Sequence, residues 1–166
     1  MLQQFAGWLS HTPVSQFIQN VLWIIPAVQT VHILAIASVF SSVAMIDLRI
    51  FGFAGRGMTM ADTAGRYAPW IWWSLLVLAL TGVTLITGEP VRSLTNPAFQ
   101  IKMALLATAM VVTLVFQRAI RRKAGAWDAA PRLPAAVRIA ALATLVLWFA
   151  IAVFGRWIAY RILNYV

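Results

Sequence analysis

The chain reads as an all-α integral membrane protein: a four-helix bundle preceded by a short N-terminal interfacial helix. Three observations carry that reading. Its 166 residues are 62% hydrophobic and only 10% charged, where soluble domains carry about 25% charged residues, and its mean hydropathy is +0.84. Four apolar runs each reach the roughly 20 residues a helix needs to cross ~30 Å of hydrocarbon. The segments between the runs gather Gly, Pro and Arg, the composition of connectors lying outside the lipid.

Each element follows in order. The opening MLQQFAGWLSHTPVSQ holds no Lys or Arg. It therefore lacks a signal peptide's charged start and is read as part of the mature protein. Pro13 breaks the segment, and Phe5, Trp8 and Leu9 suit a short amphipathic helix in the interface. The spans are expected at 20–46, 69–87, 99–117 and 135–160, all within a single transmembrane domain covering 1–166. Helices that satisfy their own backbone are the sensible spanning form. In the first connector, FGFAGRGMTMADTAGRYA, Asp62 follows Thr59 by three residues and signals a short helix. Small residues recur at four-residue spacing: Ser38 and Ser42, Ala104 and Thr108, then Ala136, Ala140 and Thr144. Such rows permit close helix approach within a bundle or between copies.

Charge sets the orientation. The first and third connectors with their flanks hold Arg49, Arg56, Arg66, Arg118, Arg121, Arg122, Lys123, Arg132 and Arg138; the opposite side has Arg92, Lys102, Arg156 and Arg161. The excess places those two connectors in the cytoplasm and both termini outside. Trp70, Trp72, Trp73, Trp157, Tyr160 and Tyr165 lie near helix ends, as an aromatic belt does. The net charge of +9 is thus spent on topology and on membrane lipid headgroups, and no nucleic-acid face is expected. Cysteine is absent, which excludes disulfides, thiolate metal sites and cysteine nucleophiles. No nucleophile–base set, P-loop or dinucleotide fingerprint is found, so no independent enzyme is expected.

One residue in the first span invites chemistry. His32 is the only ionisable group in 20–46, and such a group inside lipid is costly. It shares a helix face with Gln29, Ala35 and Ile36. Pro26, about two turns earlier, is expected to kink the helix and open a polar pocket. The imidazole can ligate haem iron or another metal, relay protons, or simply hydrogen-bond to Thr or Gln of a neighbouring helix. A bis-histidine haem within one chain needs a second histidine at membrane depth, and His11 lies outside the first span. A single-His haem, a partner such as Met103 or Met110, or a ligand from another subunit remain open. Lys102 enters the third helix just after Asn96-Pro97 and either snorkels to the interface or pairs with an anion near the outer face. Arg156, one turn before Tyr160, is either an anion partner or an interfacial anchor. Asp47 and Arg49 are read as anchors at the end of the first span that face different ways and pair with other elements.

The stretches TVHILAIASVFSSVAMIDLRIFG, TNPAFQIK and GRWIAY together resemble an uncharacterised family of small bacterial inner-membrane proteins with four predicted spans. A looser likeness, confined to the first and third helices, is to the membrane domain of CopD and to HemJ. Those proteins carry a histidine on the first helix and a lysine early in a later one. His32 and Lys102 stand at the matching positions, and the HemJ likeness implies haem b. The arginine- and tyrosine-containing segment that follows the histidine in HemJ is missing here, and Gln117 stands near the end of the third helix where a histidine would suit a haem.

The leading reading is therefore a b-type haem-binding or redox accessory subunit in a bacterial inner membrane, associated as a homo-oligomer or within a larger membrane complex. His32 is its axial metal ligand, while Lys102 and Arg156 hold anionic groups toward the outer side. The alternatives are a non-catalytic oligomeric scaffold subunit and a small transporter or proton conduit.

Overall fold

The computed structural model describes residues 1–55, 57–130 and 133–160, with side chains as far as Gly155. The described residues form helices α1 (Leu2–Ser10), α2 (Pro13–Asn20), α3 (Ile24–Ile50), α4 (Met60–Gly88), α5 (Pro90–Leu94), α6 (Pro97–Ala129) and α7 (Ala135–Tyr160). Four of them, α3, α4, α6 and α7, are long and apolar enough to cross a membrane. The chain is thus an all-α, multi-pass membrane protein, as its composition and apolar runs require. Helix α3 packs on α4 and α7, and α6 packs on the same two. The four spans close into a ring with α3 and α6 on one diagonal. One end of the ring carries the N-terminal helices and the end of α7 and is called here the terminal end. The other, where the two arginine-rich connectors lie, is the basic end.

The helices run past the apolar runs that announce them. Helix α3 begins at Ile24 and continues to Ile50, so Asp47 is inside it. Pro26 falls in the first turn of α3, where its missing N–H has no intrahelical partner to lose. The expected kink therefore has no cause. Helix α4 absorbs the short connector helix into the span, which leaves Pro69 in its interior. Its start is fixed by Thr59, whose Oγ1 accepts from the Asp62 backbone N–H at 3.0 Å and stands 2.7 Å from Asp62 Oδ2. Helix α6 starts at an Asn96 cap, with Oδ1 accepting from the Ala98 N–H, and passes through its basic segment to Ala129.

The N-terminal segment holds two helices rather than one. Pro13 does not merely interrupt the chain: it occupies the first turn of α2 behind a Thr12 cap, a position suited to its fixed φ. These helices lie across the terminal end, α1 against α5 and α2 against α4. Ser15 is fully buried there and donates to the Thr87 carbonyl at 2.6 Å. Phe5, Trp8, Val14 and Phe17 stay exposed, the outward apolar face of an interfacial helix pair. Gly88 makes the docking possible, since a Cβ there would come within 2.5 Å of Ile25 Cδ1 and 2.9 Å of Ile18 Cγ2.

Inside the ring, Val39, Val43, Ile46, Ile71, Phe116, Ile120, Ala141 and Trp148 form the core, while Ile33, Leu34, Leu80, Val111 and Phe149 face outward. Of the small-residue rows, Ser38 accepts a hydrogen bond from Ser74 of α4 at 2.8 Å, and Thr144 is buried. Ala104 and Thr108 instead face outward. Trp70 and Trp73 are exposed as a belt requires, but Trp72 turns inward to donate to Gln117. Trp157, Tyr160, Tyr165, Arg56, Arg132 and Arg161 lie outside the residues whose side chains are described.

The basic end is tied by Asp128. Its carboxylate accepts from Arg49 Nη2 at 3.2 Å and from the Met60 backbone N–H at 2.9 Å, while Arg49 Nε donates to the Met58 carbonyl. One side chain from α6 thus holds the end of α3 and the start of α4. Asp128→Ala removes both ties, and a loss of about 1–2 kcal/mol is expected, read from the unfolding midpoint in detergent. An unchanged midpoint would show that the junction is held elsewhere.

Candidate functional site

The interior of the ring is polar in two places. Toward the terminal end, His32 of α3 lies with its Nδ1 2.7 Å from Thr81 Oγ1 of α4. The Thr81 hydroxyl is itself 2.7 Å from the Val77 carbonyl of its own helix. A carbonyl only accepts, and a hydroxyl has one proton; when that proton goes to Val77, Thr81 accepts from His32 Nδ1–H, and in the neutral ring Nε2 then keeps its lone pair. Gly82 lies beside the ring, where a Cβ would stand 3.8 Å from His32 Cε1.

Lys102 of α6, on the helix diagonal to α3, is half-buried and lies against α7. A Cβ at Gly155 of α7 would stand 3.5 Å from Lys102 Nζ and 3.6 Å from its Cε, ordinary van der Waals distances, so the lysine lies against α7 at this point. Among the described residues no carboxylate pairs with Lys102. Of the residues singled out in the sequence, His32 thus meets α4 and Lys102 meets α7. Arg156 follows Gly155 in α7, but its side chain lies outside the described residues.

The second polar place is nearer the basic end, and sequence reasoning missed it. Asp47 is 1% exposed. Its Oδ2 lies 2.7 Å from Thr144 Oγ1 of α7, and that hydroxyl is also 2.8 Å from the Ala141 carbonyl. Two indole donors finish the cluster: Trp148 Nε1 donates to Thr113 Oγ1 at 3.3 Å, and Trp72 Nε1 donates to Gln117 Oε1 at 3.0 Å. Because an indole only donates, the Trp72 bond orients the amide and leaves Gln117 Nε2 pointing elsewhere. That nitrogen is buried and has no hydrogen-bond partner among the described residues. Asp47, Gln117, Thr113 and Thr144 share a cavity of about 10 Å³ with Val43, Ile46, Ile71 and Phe116, about the space one water molecule needs.

The expectation that Asp47 and Arg49 pair with other elements matches the geometry, with Thr144 and Asp128 as partners. The role of mere anchor for Asp47 does not, because the residue is inside the ring. A signal was available. Asp47 continues the buried row of Val39, Val43 and Ile46 at helical spacing, whereas Arg49 falls off it. The Trp72–Gln117 pair left no such trace, since residues 45 apart meet only once the helices are packed.

For metal binding, no group of three or more His, Cys, Asp or Glu occurs among the described residues. A site at His32 would have one protein nitrogen, the arrangement of an axial haem ligand rather than of a metal cage. The Nδ1–H bond to Thr81 fits such a ligand, because metal-binding histidines are oriented through their other ring nitrogen. In the second cluster, Trp72→Phe would strand Gln117 Oε1. A loss of about 1–3 kcal/mol is expected, measured as thermal unfolding in micelles, with exposed Trp70→Phe as the unchanged control. Equal melting of the two variants would contradict the pairing.

No curated protein and no solved structure matches the chain. Residues 14–161, nearly all of the four-span bundle, match the family of unknown function DUF6644, and the chain belongs to that family.

Proposed function

We propose that this protein binds a b-type haem at the terminal end of its bundle, with His32 as axial ligand, as a redox accessory subunit of a membrane complex. The observation that carries the reading is the Thr81 hydroxyl, which holds His32 by Nδ1–H and leaves Nε2 as the electron-pair donor. Lys102, half-buried and without a carboxylate partner among the described residues, suits a haem propionate, and Arg156 next to Gly155 is the second candidate for that role. When bound, the haem supplies one-electron chemistry; the chain supplies the ligand, its orientation and the counter-charge. The likeness of His32 and Lys102 to the CopD and HemJ pattern supports the same reading. Outward-facing Ala104 and Thr108 on α6 support association with another copy or subunit.

The setting proposed is a bacterial inner membrane, with the basic end in the cytoplasm and both termini outside, on the strength of the arginine count. The chain has no cysteine, so single introduced cysteines report topology cleanly. An impermeant maleimide is expected to label Gln3→Cys in intact cells and Gly57→Cys only after lysis. The reverse pattern would invert the orientation.

The haem reading is tested by the absorption spectrum of the purified protein, as isolated and after addition of hemin, with and without dithionite. A Soret band with reducible α and β bands is expected, lost in His32→Ala. Thr81→Val is expected to weaken hemin binding by about 10–100-fold, the usual effect of removing the group that orients a ligand. A colourless preparation that takes up no hemin would overturn the reading. If its oligomer also survived His32→Ala, the scaffold alternative would stand in its place.

A further inference from the structure

The second polar cluster asks for an explanation the haem reading does not give. A carboxyl group with a 1% exposed side chain lies inside a ring of four membrane spans. A bare carboxylate there requires a countercharge or several donors. Asp47 has neither. The cavity it shares is lined from α4 by Ile71, from α6 by Thr113, Phe116 and Gln117, and from α7 by Thr144, none of them charged or titratable. Helix α2, which also touches α3, carries no charged residue. Arg49, two residues away on the same helix, is committed to Asp128 and the Met58 carbonyl.

Proton counting points the same way. Thr144 Oγ1 makes two short contacts, 2.7 Å to Asp47 Oδ2 and 2.8 Å to the Ala141 carbonyl. The carbonyl cannot donate, and the hydroxyl has one proton to give. With an ionised Asp47, both contacts would compete for that proton. With a protonated Asp47, each is a full hydrogen bond: Asp47 Oδ2–H donates to Thr144 Oγ1, and Thr144 donates to Ala141. The arrangement repeats that at Thr81, where a threonine back-bonded to its own helix accepts from a titratable side chain.

The cavity supplies the remaining partner. Gln117 Nε2 is a buried donor with no partner among the described residues, and its orientation is fixed by Trp72 on Oε1. A metal cation would meet an N–H there and is disfavoured. A water molecule can accept from Gln117 Nε2 and donate to the Asp47 carboxyl, and the space of about 10 Å³ holds about one.

We infer that Asp47, Thr144 and Gln117 form a proton-binding site inside the bundle, in which the Asp47 carboxyl is neutral and shares its cavity with one water molecule. Asp47 lies three residues from the end of α3 at Ile50, roughly 5 Å along the helix, so the basic end is the nearer side from which its proton exchanges. The site rests on its own geometry and stands or falls separately from haem binding at His32.

Infrared spectroscopy of the full-length protein in bilayers tests it, through the C=O stretch of a protonated carboxyl at neutral pH. The chain has four acidic residues. The other three are exposed or paired: Asp62 with Thr59, Glu89 with Arg92, and Asp128 with Arg49. One protonated-carboxyl band is therefore expected, absent in Asp47→Asn and moved to higher frequency in Thr144→Val, where the carboxyl O–H loses its acceptor. Gln117→Leu is expected to shift the band as well, by removing the donor that holds the water. Asp62→Asn leaves it untouched. Absence of the band in the wild-type protein, its survival in Asp47→Asn, or an unmoved band in Thr144→Val would each overturn the proposal. The wild-type spectrum alone is decisive if a variant does not fold.

Discussion

The interior chemistry of this bundle depends on how a threonine spends its single hydroxyl proton. In a membrane span, a threonine that donates to a carbonyl of its own helix can only accept from anything else that meets its oxygen. Thr81 and Thr144 both stand in that position, each back-bonded within its helix and each facing a titratable side chain across a helix boundary. For His32 the consequence is a defined tautomer. For Asp47 it is a carboxyl that fits its surroundings when neutral. Lipid makes this rule strict, because no bulk water is at hand to supply another donor.

The ring of helices turns the rule into an arrangement of sites. With α3 and α6 on one diagonal, Asp47 and Gln117 approach one shared cavity toward the basic end, while His32 meets Thr81 of α4 toward the terminal end. His32 and Asp47 are fifteen residues apart on α3, roughly 22 Å along the helix. Between them lies the Ser38–Ser74 hydrogen bond, a neutral cross-link of the kind worth about 0.6 to 2 kcal/mol in membrane bundles. The interior is thus polar at two levels with a hydroxyl contact between, and the apolar core of Val39, Val43, Ile71 and Trp148 fills the rest. A neutral carboxyl beside an oriented amide suits a proton.

The spans were legible in the sequence because lipid demands long apolar runs, and such runs need no knowledge of neighbours. His32 was legible for the same reason, as the one ionisable group in a long apolar run. Lys102 was legible as a residue of interest, but its contact with Gly155 arises only once α6 packs against α7. Asp47 was read from its place beside Arg49 near the end of a run, although its register with Val39 and Val43 marks it as interior. The early start of α4 was hidden because Arg66 and Asp62 lower the local hydropathy, while helix formation there depends on the Thr59 cap and the Asp128 tie. Trp72 matched a belt by position but is drawn inward by Gln117, a partner that sequence spacing does not reveal.

The most direct measurement of the central claim is the protonation of His32 in the ligand-free protein. The chain has two histidines, so nitrogen-15 histidine labelling with His11→Asn isolates the His32 signals for NMR in bilayers. A neutral ring with the proton on Nδ1 and a bare Nε2 is the result predicted by a threonine whose own proton is committed to Val77. A ring protonated on Nε2 instead, or a cationic ring at neutral pH, would contradict it.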